Sequence, residues 1–202
     1  MKLRDFLEAV VPQTGVRIIA RMKDGTDAKN KPFKYFQHLP CSTHEEAAQG
    51  ISTLVKGTKS DVYYALASFK QSFHTNQKGK KVIRVRENVC KLKALWLDID
   101  FKDGLSDHTQ VVAALREFSN RTGMPMPSIL VHSGNGLHAY WPFEEEIDGT
   151  RWQPLAEKLK TVCQEVGLAS DHACTADACR VLRPVGGVNW KDPDNPKIVK
   201  GI

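Results

Sequence analysis

Asp98 and Asp100 stand one residue apart in the run Ala94-Leu95-Trp96-Leu97-Asp98-Ile99-Asp100-Phe101, which otherwise reads as a buried strand. Alternate side chains of an extended chain share a face, so the two carboxylates point the same way. Two negative charges side by side among apolar neighbours are costly unless a cation or hydrogen-bond donors compensate them. A divalent metal is one solution, and oxygen-only ligation selects Mg2+ or Mn2+. The other is a strand that frays into a loop, where Asp-x-Asp needs no metal.

Further groups follow downstream. His132-Ser133-Gly134-Asn135-Gly136-Leu137-His138 places a glycine-flanked turn just before a histidine. Glycines let backbone N–H groups come close to phosphate oxygens, with no Cβ in the way. Asn-Gly is equally a plain hairpin turn, and His138 equally a satisfied core histidine. Asp171 and Asp177 precede the segment Arg180-Val181-Leu182-Arg183-Pro184-Val185-Gly186-Gly187-Val188-Asn189-Trp190-Lys191. Its arginines suit phosphate oxygens, although structural ion pairs would use them as well. Cys174, Cys179 and His172 could be read as a zinc cluster, but their spacing is not a standard one and no fourth ligand is evident.

The elements that must carry these groups are legible from periodicity. A helix over Leu3–Val10 leads to strands at Val16–Met22 and Phe33–His38, joined by a polar turn around Lys23-Asp24-Gly25. Ser42-Thr43-His44-Glu45-Glu46 is a capped helix start, and Ala47, Ala48, Ile51, Leu54 and Val55 carry the helix to Gly57. Asp61–Phe69 alternates as a strand. Gln71–Lys81 has no apolar period and reads as a mobile loop, either a solvated tip or a phosphate-backbone contact. A helix from about Thr109 to Thr122 follows the Asp98 strand, then strands Ser128–His132 and Leu137–Phe143. A helix over Thr150–Val166 sets Trp152, Leu155, Leu159 and Val162 at core spacing, and Arg180–Val185 is a short last strand. The β-α-β-β-α-β order from Leu95 to Val185 is that of a ferredoxin-like sheet with one open face.

The chain has 202 residues, enough for a real core. Its 29 Lys plus Arg against 23 Asp plus Glu give a charge of +6, which suits an anionic partner such as a nucleic acid or nucleotide. The five cysteines, odd in number and without C-x-x-C spacing, point to a reducing compartment. No apolar run is long enough for a signal peptide or a membrane span, so the cytoplasm is the expected location.

Asp98-Ile99-Asp100, the Ser133–His138 turn, Asp171 to Asp177 and the Arg180–Lys191 segment occur in an order that resembles the archaeo-eukaryotic primase superfamily. Its plasmid- and phage-encoded primase-polymerase branch is the nearest likeness, over about Asp61 to Lys191. The resemblance implies an α+β fold with an RRM-like, ferredoxin-like antiparallel sheet core. A single catalytic domain over 1–202 would comprise an N-terminal α/β subdomain (1–90) and an RRM-like catalytic subdomain (91–202). It implies two catalytic Mg2+ or Mn2+ ions on Asp98, Asp100 and a third carboxylate. Asp171 is preferred for the third because it follows the apolar Val166-Gly167-Leu168-Ala169 run; Asp177 is the alternative and could instead orient Arg180. The nucleotide would be met by Ser133, Gly134, Asn135, Gly136, His138, Arg180, Arg183, Asn189 and Lys191. Pro184 directly after the second arginine departs from the branch's Arg-x-Pro-Gly-Thr pattern, which puts the turn geometry there in doubt.

The implied function is template-directed nucleotidyl transfer in the replication of a mobile element, with single-stranded DNA and nucleoside triphosphates as partners. Lys78, Lys80, Lys81, Arg84 and Arg86 are the expected nucleic-acid contacts. Such modules are often joined to a helicase, and the segment Lys197–Ile202 carries no terminal helix, so a piece of a longer protein is expected. Two rival readings use the same residues: a catalytically silent module that binds single-stranded or origin DNA, and a metal-dependent nuclease.

Overall fold

The computed structural model describes residues 1–102 and 105–202. Helix α1 (Leu3–Val10) buries Phe6, Leu7 and Val10 on one face. Strands β1 (Arg17–Thr26) and β2 (Pro32–Cys41) pair antiparallel along their full length. The expected turn at Lys23-Asp24-Gly25 therefore lies inside β1. The chain reverses at Asp27–Lys31 instead, where Asp27 Oδ1 accepts the Lys29 and Lys31 N–H groups and Asn30 takes a positive φ of 58°.

Helix α2 (His44–Gly57) starts as its sequence dictates. Thr43 Oγ1 accepts the Glu46 N–H, and Glu46 Oε2 accepts the Ser42 N–H in return. The alternating Asp61–Phe69 segment is two strands, β3 (Val62–Ala65) and β4 (Ala67–Phe69). The break falls at Leu66, whose N–H donates to Arg180 O, and the two strands enter different sheets. The lysine-rich segment forms a small hairpin, β5 (His74–Thr75) with β6 (Lys81–Val82).

The long strand β7 (Val89–Asp100) carries both aspartates at its end. Helix α3 (His108–Thr122) is capped by Asp107 and ends at Gly123 in the left-handed region, burying Val111, Leu115 and Phe118. Strands β8 (Ile129–His132) and β9 (Gly136–Asp148) follow, then α4 (Gly149–Val166) and the short α5 (His172–Thr175). The buried face of α4 is Trp152, Ala156, Leu159 and Cys163, whereas Leu155 stands 45% exposed. Trp152 sets that register, because its ring stacks on Trp96 at 4.8 Å and its Nε1 donates to Ala94 O. Short strands β10 (Val181–Leu182), β11 (Val188–Asn189), β12 (Lys197–Ile198) and β13 (Lys200–Gly201) complete the chain.

Two main antiparallel sheets result, with orders β10-β3-β1-β2 and β13-β8-β9-β7-β4. The fold is α+β, as expected, with one difference in the expected strand pairing. The last strand of the β-α-β-β-α-β series, β10, pairs with β3 in the four-stranded sheet, while β4 crosses the other way to pair with β7. Each sheet thus borrows a strand across residue 90: the edge place beside β7 that β10 would have taken is filled by β4, and β13 adds at the opposite edge beside β8. The face of β7 and β9 that carries Trp96, Asp98, His138 and Tyr140 looks toward the four-stranded sheet. Tyr64 of β3 hydrogen-bonds Tyr140, and Phe6 of α1 packs edge-on against both rings.

Candidate active site

Asp98 on β7 and His138 on β9 are register partners, so their side chains share a face, with Asp98 Oδ1 3.7 Å from His138 Nε2. Gly136 makes this close pairing possible. It lies opposite Asp100, and a Cβ there would run into the carbonyl oxygen of Ile99. Asp171 arrives from the far side as the N-cap of α5. Its backbone N–H donates to the carbonyl of Asp98 at 2.7 Å, and its Oδ1 accepts the N–H groups of Ala173 and Cys174. Its Oδ2 takes Arg180 Nη2 at 2.9 Å.

Asp98, Asp171 and the buried Cys174 each offer a ligand atom within 4.8 Å of the others. The Asp98 carboxylate receives no hydrogen bond from the described residues and opens onto a cleft of about 340 Å3. Burial first, then the Asp100 charge, raises its carboxyl to about 6. Asp100 sits further out, half exposed, with Lys102 at 3.1 Å. The donors fit a divalent cation: Asp98, which receives no hydrogen bond from the described residues, and Asp171 anchored beside it, with Asp100 outside this ligand group. Cys174 is a softer donor, kept as a thiol by burial and by Asp98.

The cleft is also lined by Phe36, Tyr63, Arg84, Asp177, Arg180 and Arg183. Arg183 Nε donates to Asp61 Oδ1 at 2.8 Å, its Nη2 reaches the Tyr63 hydroxyl, and its guanidinium lies over the Tyr63 ring. Arg84 covers Phe36 and donates to His38 Nε2 and to Cys179 O. His138 is fully buried, and burial together with Arg183 and Arg180 pushes it down to about 3, so the imidazole is neutral.

The expected residues divide between this cleft and its surroundings. Asp98, His138, Asp171, Asp177, Arg180, Arg183 and Arg84 come together. Arg180 finds its carboxylate in Asp171, through Oδ2, and not in Asp177, whose Oδ1 accepts the Cys179 N–H. In the Ser133–Gly136 turn two backbone donors are already engaged, Ser133 N–H on Gly136 O and Gly134 N–H on His132 Nδ1. Asn189 and Lys197 hold that turn, through Ser133 O at 2.8 Å and Asn135 Oδ1 at 2.6 Å. Lys191 is exposed, and its N–H donates to Asn189 Oδ1.

Lys78 and Lys80 lie at the tip of the β5–β6 hairpin, and Lys81 sits over the Phe73 ring. Arg86 lines a separate hollow of about 400 Å3 with Lys70 and the start of α4. Cys174, Cys179 and His172 form no shared ligand cluster among the described residues, since Cys174 turns to the aspartates and His172 Nδ1 to Ser170.

Asp61, Tyr63, Phe36 and His38 escaped the sequence reading. Asp61-x-Tyr63 on an alternating segment was the available signal, placing a carboxylate and a phenol on one face. Nothing local tied that face to Arg183, 120 residues further on.

No protein-family model matches the sequence. A curated "Replication protein" from Clostridium perfringens is 26% identical over 113 residues, 55% of this chain, and the chain spans about a quarter of that relative's length (27%). Among solved structures, the AEP domain of the cyanophage S-2L primase-polymerase superposes with a TM-score of 0.65 at 16% identity, covering 100% of this chain and 88% of that one. Primase RepB' gives 0.54 at 14% identity, covering 100% and 55%. The polymerase domain of Mycobacterium tuberculosis Ligase D, solved in complex with DNA, gives 0.55 at 14% identity, covering 100% and 78%. The chain thus has the archaeo-eukaryotic primase-polymerase fold. Among the described residues no helix is long and apolar enough to cross a membrane.

Proposed function

We propose that this chain is a primase-polymerase catalytic domain, which adds nucleotides to a growing strand under the direction of a single-stranded DNA template during replication of a mobile element. One observation carries the reading: Asp98, a largely buried carboxylate that receives no hydrogen bond from the described residues, faces a cleft lined by Arg84, Arg180 and Arg183. An anionic substrate that brings a divalent cation satisfies both sides at once.

Asp98, Asp171 and Asp100 would hold Mg2+ or Mn2+, which when bound neutralises developing charge on the attacking and departing oxygens. Arg183 enters the cleft already oriented by Asp61 and Tyr63, which lowers the cost of holding a phosphate. Arg180 links the two halves of the site, since its guanidinium lies on Asp171 and can share a phosphate oxygen. His138, neutral and buried, serves as a hydrogen-bond donor and not as a charge. Lys78, Lys80 and Lys81 project on a hairpin that can follow a nucleic-acid backbone, and in this reading the template runs along that side.

The test is purified protein with a single-stranded template, nucleoside triphosphates and Mn2+. Primers or extended strands support the proposal. Retarded template with no incorporation supports a silent DNA-binding module, and degraded template supports a nuclease; either contradicts the polymerase reading.

A further inference from the structure

His138 ends a buried chain of hydrogen bonds that runs from the cleft into the space between the two sheets. Its Nε2 faces Asp98 Oδ1 at 3.7 Å, its Nδ1 meets the Tyr140 hydroxyl at 3.2 Å, and Tyr140 meets the Tyr64 hydroxyl at 3.0 Å. Both tyrosines and the histidine are buried. The three groups come from two sheets, Tyr64 from β3 and His138 and Tyr140 from β9. Such a line of polar groups in a dry core persists only if every proton has an acceptor.

Only one direction of donation meets that requirement. If Tyr64 donates to Tyr140 and Tyr140 donates to Nδ1, the imidazole carries its proton on Nε2, facing the Asp98 carboxylate. The opposite direction aims the Nε2 lone pair at a carboxylate and leaves the Tyr64 proton without an acceptor among the described residues. The tyrosine hydroxyls have no other partner there. Phe6 packs edge-on against both rings and fixes them in place.

We infer that Tyr140, backed by Tyr64, is a positioning residue that holds His138 in the Nε2–H tautomer and so presents a fixed N–H donor to the ligand in the Asp98 cleft. The orienting partner of an imidazole decides which nitrogen carries the proton, and here that partner is a phenol reached through the core. That the ligand is a nucleoside triphosphate rests on the polymerase reading above; the tautomer does not.

The experiment is nitrogen NMR of the full chain labelled at histidine, free of metal and nucleotide, on the wild type, Tyr140→Phe, Tyr64→Phe and the double variant. The wild-type His138 should show one protonated and one bare nitrogen, with the proton on Nε2. Tyr140→Phe should draw the two nitrogen signals toward each other as the tautomers mix, with Tyr64→Phe moving them the same way by less. The double variant leaves no orphaned hydroxyl in the core and serves if the single one fails to fold. Isothermal titration with ATP and Mg2+ should then give affinity weakened roughly tenfold in Tyr140→Phe, the worth of one hydrogen bond. A proton on Nδ1 in the wild type, or nitrogen signals unmoved by Tyr140→Phe, overturns the inference. The expected tautomer in a wild type that binds no triphosphate supports the relay and overturns the polymerase reading instead.

Discussion

The backbone N–H of Asp171 donates to the backbone carbonyl of Asp98 at 2.7 Å. Through this bond the start of α5 is fastened to the end of β7, so two carboxylates 73 positions apart in sequence are held together by main chain. The side chains inherit their spacing from that bond and from the α5 cap.

Asp171 and Asp177 should therefore differ when amidated. Asp171→Asn keeps the cap but loses its charge toward Arg180 and toward a cation, and should lower incorporation by more than ~100-fold while raising the metal concentration required. Asp177→Asn keeps the acceptor for the Cys179 N–H and should act mildly. A Mn2+ titration of both variants checks the ranking, and the reverse order would move the third ligand to Asp177.

Asp98 predicts a pH dependence. Its carboxyl is raised to about 6 by burial and by Asp100, so on folding it takes up a proton between its unfolded value and that one. The sign follows: in metal-free protein this group leaves stability undiminished below about pH 4 and costs more as the pH rises toward about 6, on the order of 3 kcal/mol in all. Asp98→Asn removes the penalty. Urea midpoints without divalent cations should match the wild type near about pH 4 and exceed it near about pH 7, while incorporation is lost. Parallel midpoints at both pH values would show that the carboxylate is compensated in a way the geometry does not reveal.

Asp61 anchors Arg183 and accepts the Trp190 N–H on the same oxygen. Asp61→Ala leaves a nearly buried guanidinium without its carboxylate and should cost about 3 kcal/mol of stability. Asp61→Asn keeps an acceptor and should fold, with affinity for ATP and Mg2+ reduced about tenfold. Calorimetry on the asparagine variant is the check; unchanged affinity would reduce Asp61 to a structural tie.

Much of the fold was legible because the signals are local. The apolar face of Phe6, Leu7 and Val10, the Thr43/Glu46 box and the apolar run leading to Asp98 each state their element within a few residues. Pairings across long separations were not legible. Nothing near Val181 says that it will lie beside Ala65, and nothing near Leu66 says that the strand ends there to change sheets. The α4 register shows the same limit: Leu155 and Ala156 both fit a helical period, and the Trp96–Trp152 stack decides between them. Asp98 and His138 could be brought together from the sequence because the β-α-β-β-α-β order sets its first and third strands side by side, whereas Asp61 could not be linked to Arg183.

Gly136 offers a stability test of the β7–β9 register. Gly136→Ala forces a Cβ against the Ile99 carbonyl in a backbone pairing that cannot rotate away, and should cost about 1–3 kcal/mol. Gly167→Ala, a helix-end glycine in open space at φ 73°, pays only for its backbone conformation and should cost less. Thermal denaturation of the two variants gives the comparison, and equal losses would place the strain elsewhere.

The β5–β6 hairpin should contribute charge without sequence preference. Replacing Lys78, Lys80 and Lys81 by alanine should weaken binding of a single-stranded oligonucleotide and flatten its dependence on salt by about 2 in logarithmic slope. Fluorescence anisotropy across a salt series measures both, and an unchanged slope would take the hairpin off the nucleic-acid path.

The central claim is that Asp98 and its neighbours catalyse nucleotide addition directed by a template. Its most direct measurement is single-nucleotide incorporation on a single-stranded template with Mn2+, comparing labelled ATP and dATP, matched and mismatched to the template base, in the wild type and Asp98→Asn. The account predicts incorporation of the matched nucleotide by the wild type and none by Asp98→Asn, with the template left intact. Incorporation that survives in Asp98→Asn, ignores the template base, or is absent from a wild type that only binds or cuts the strand would contradict it.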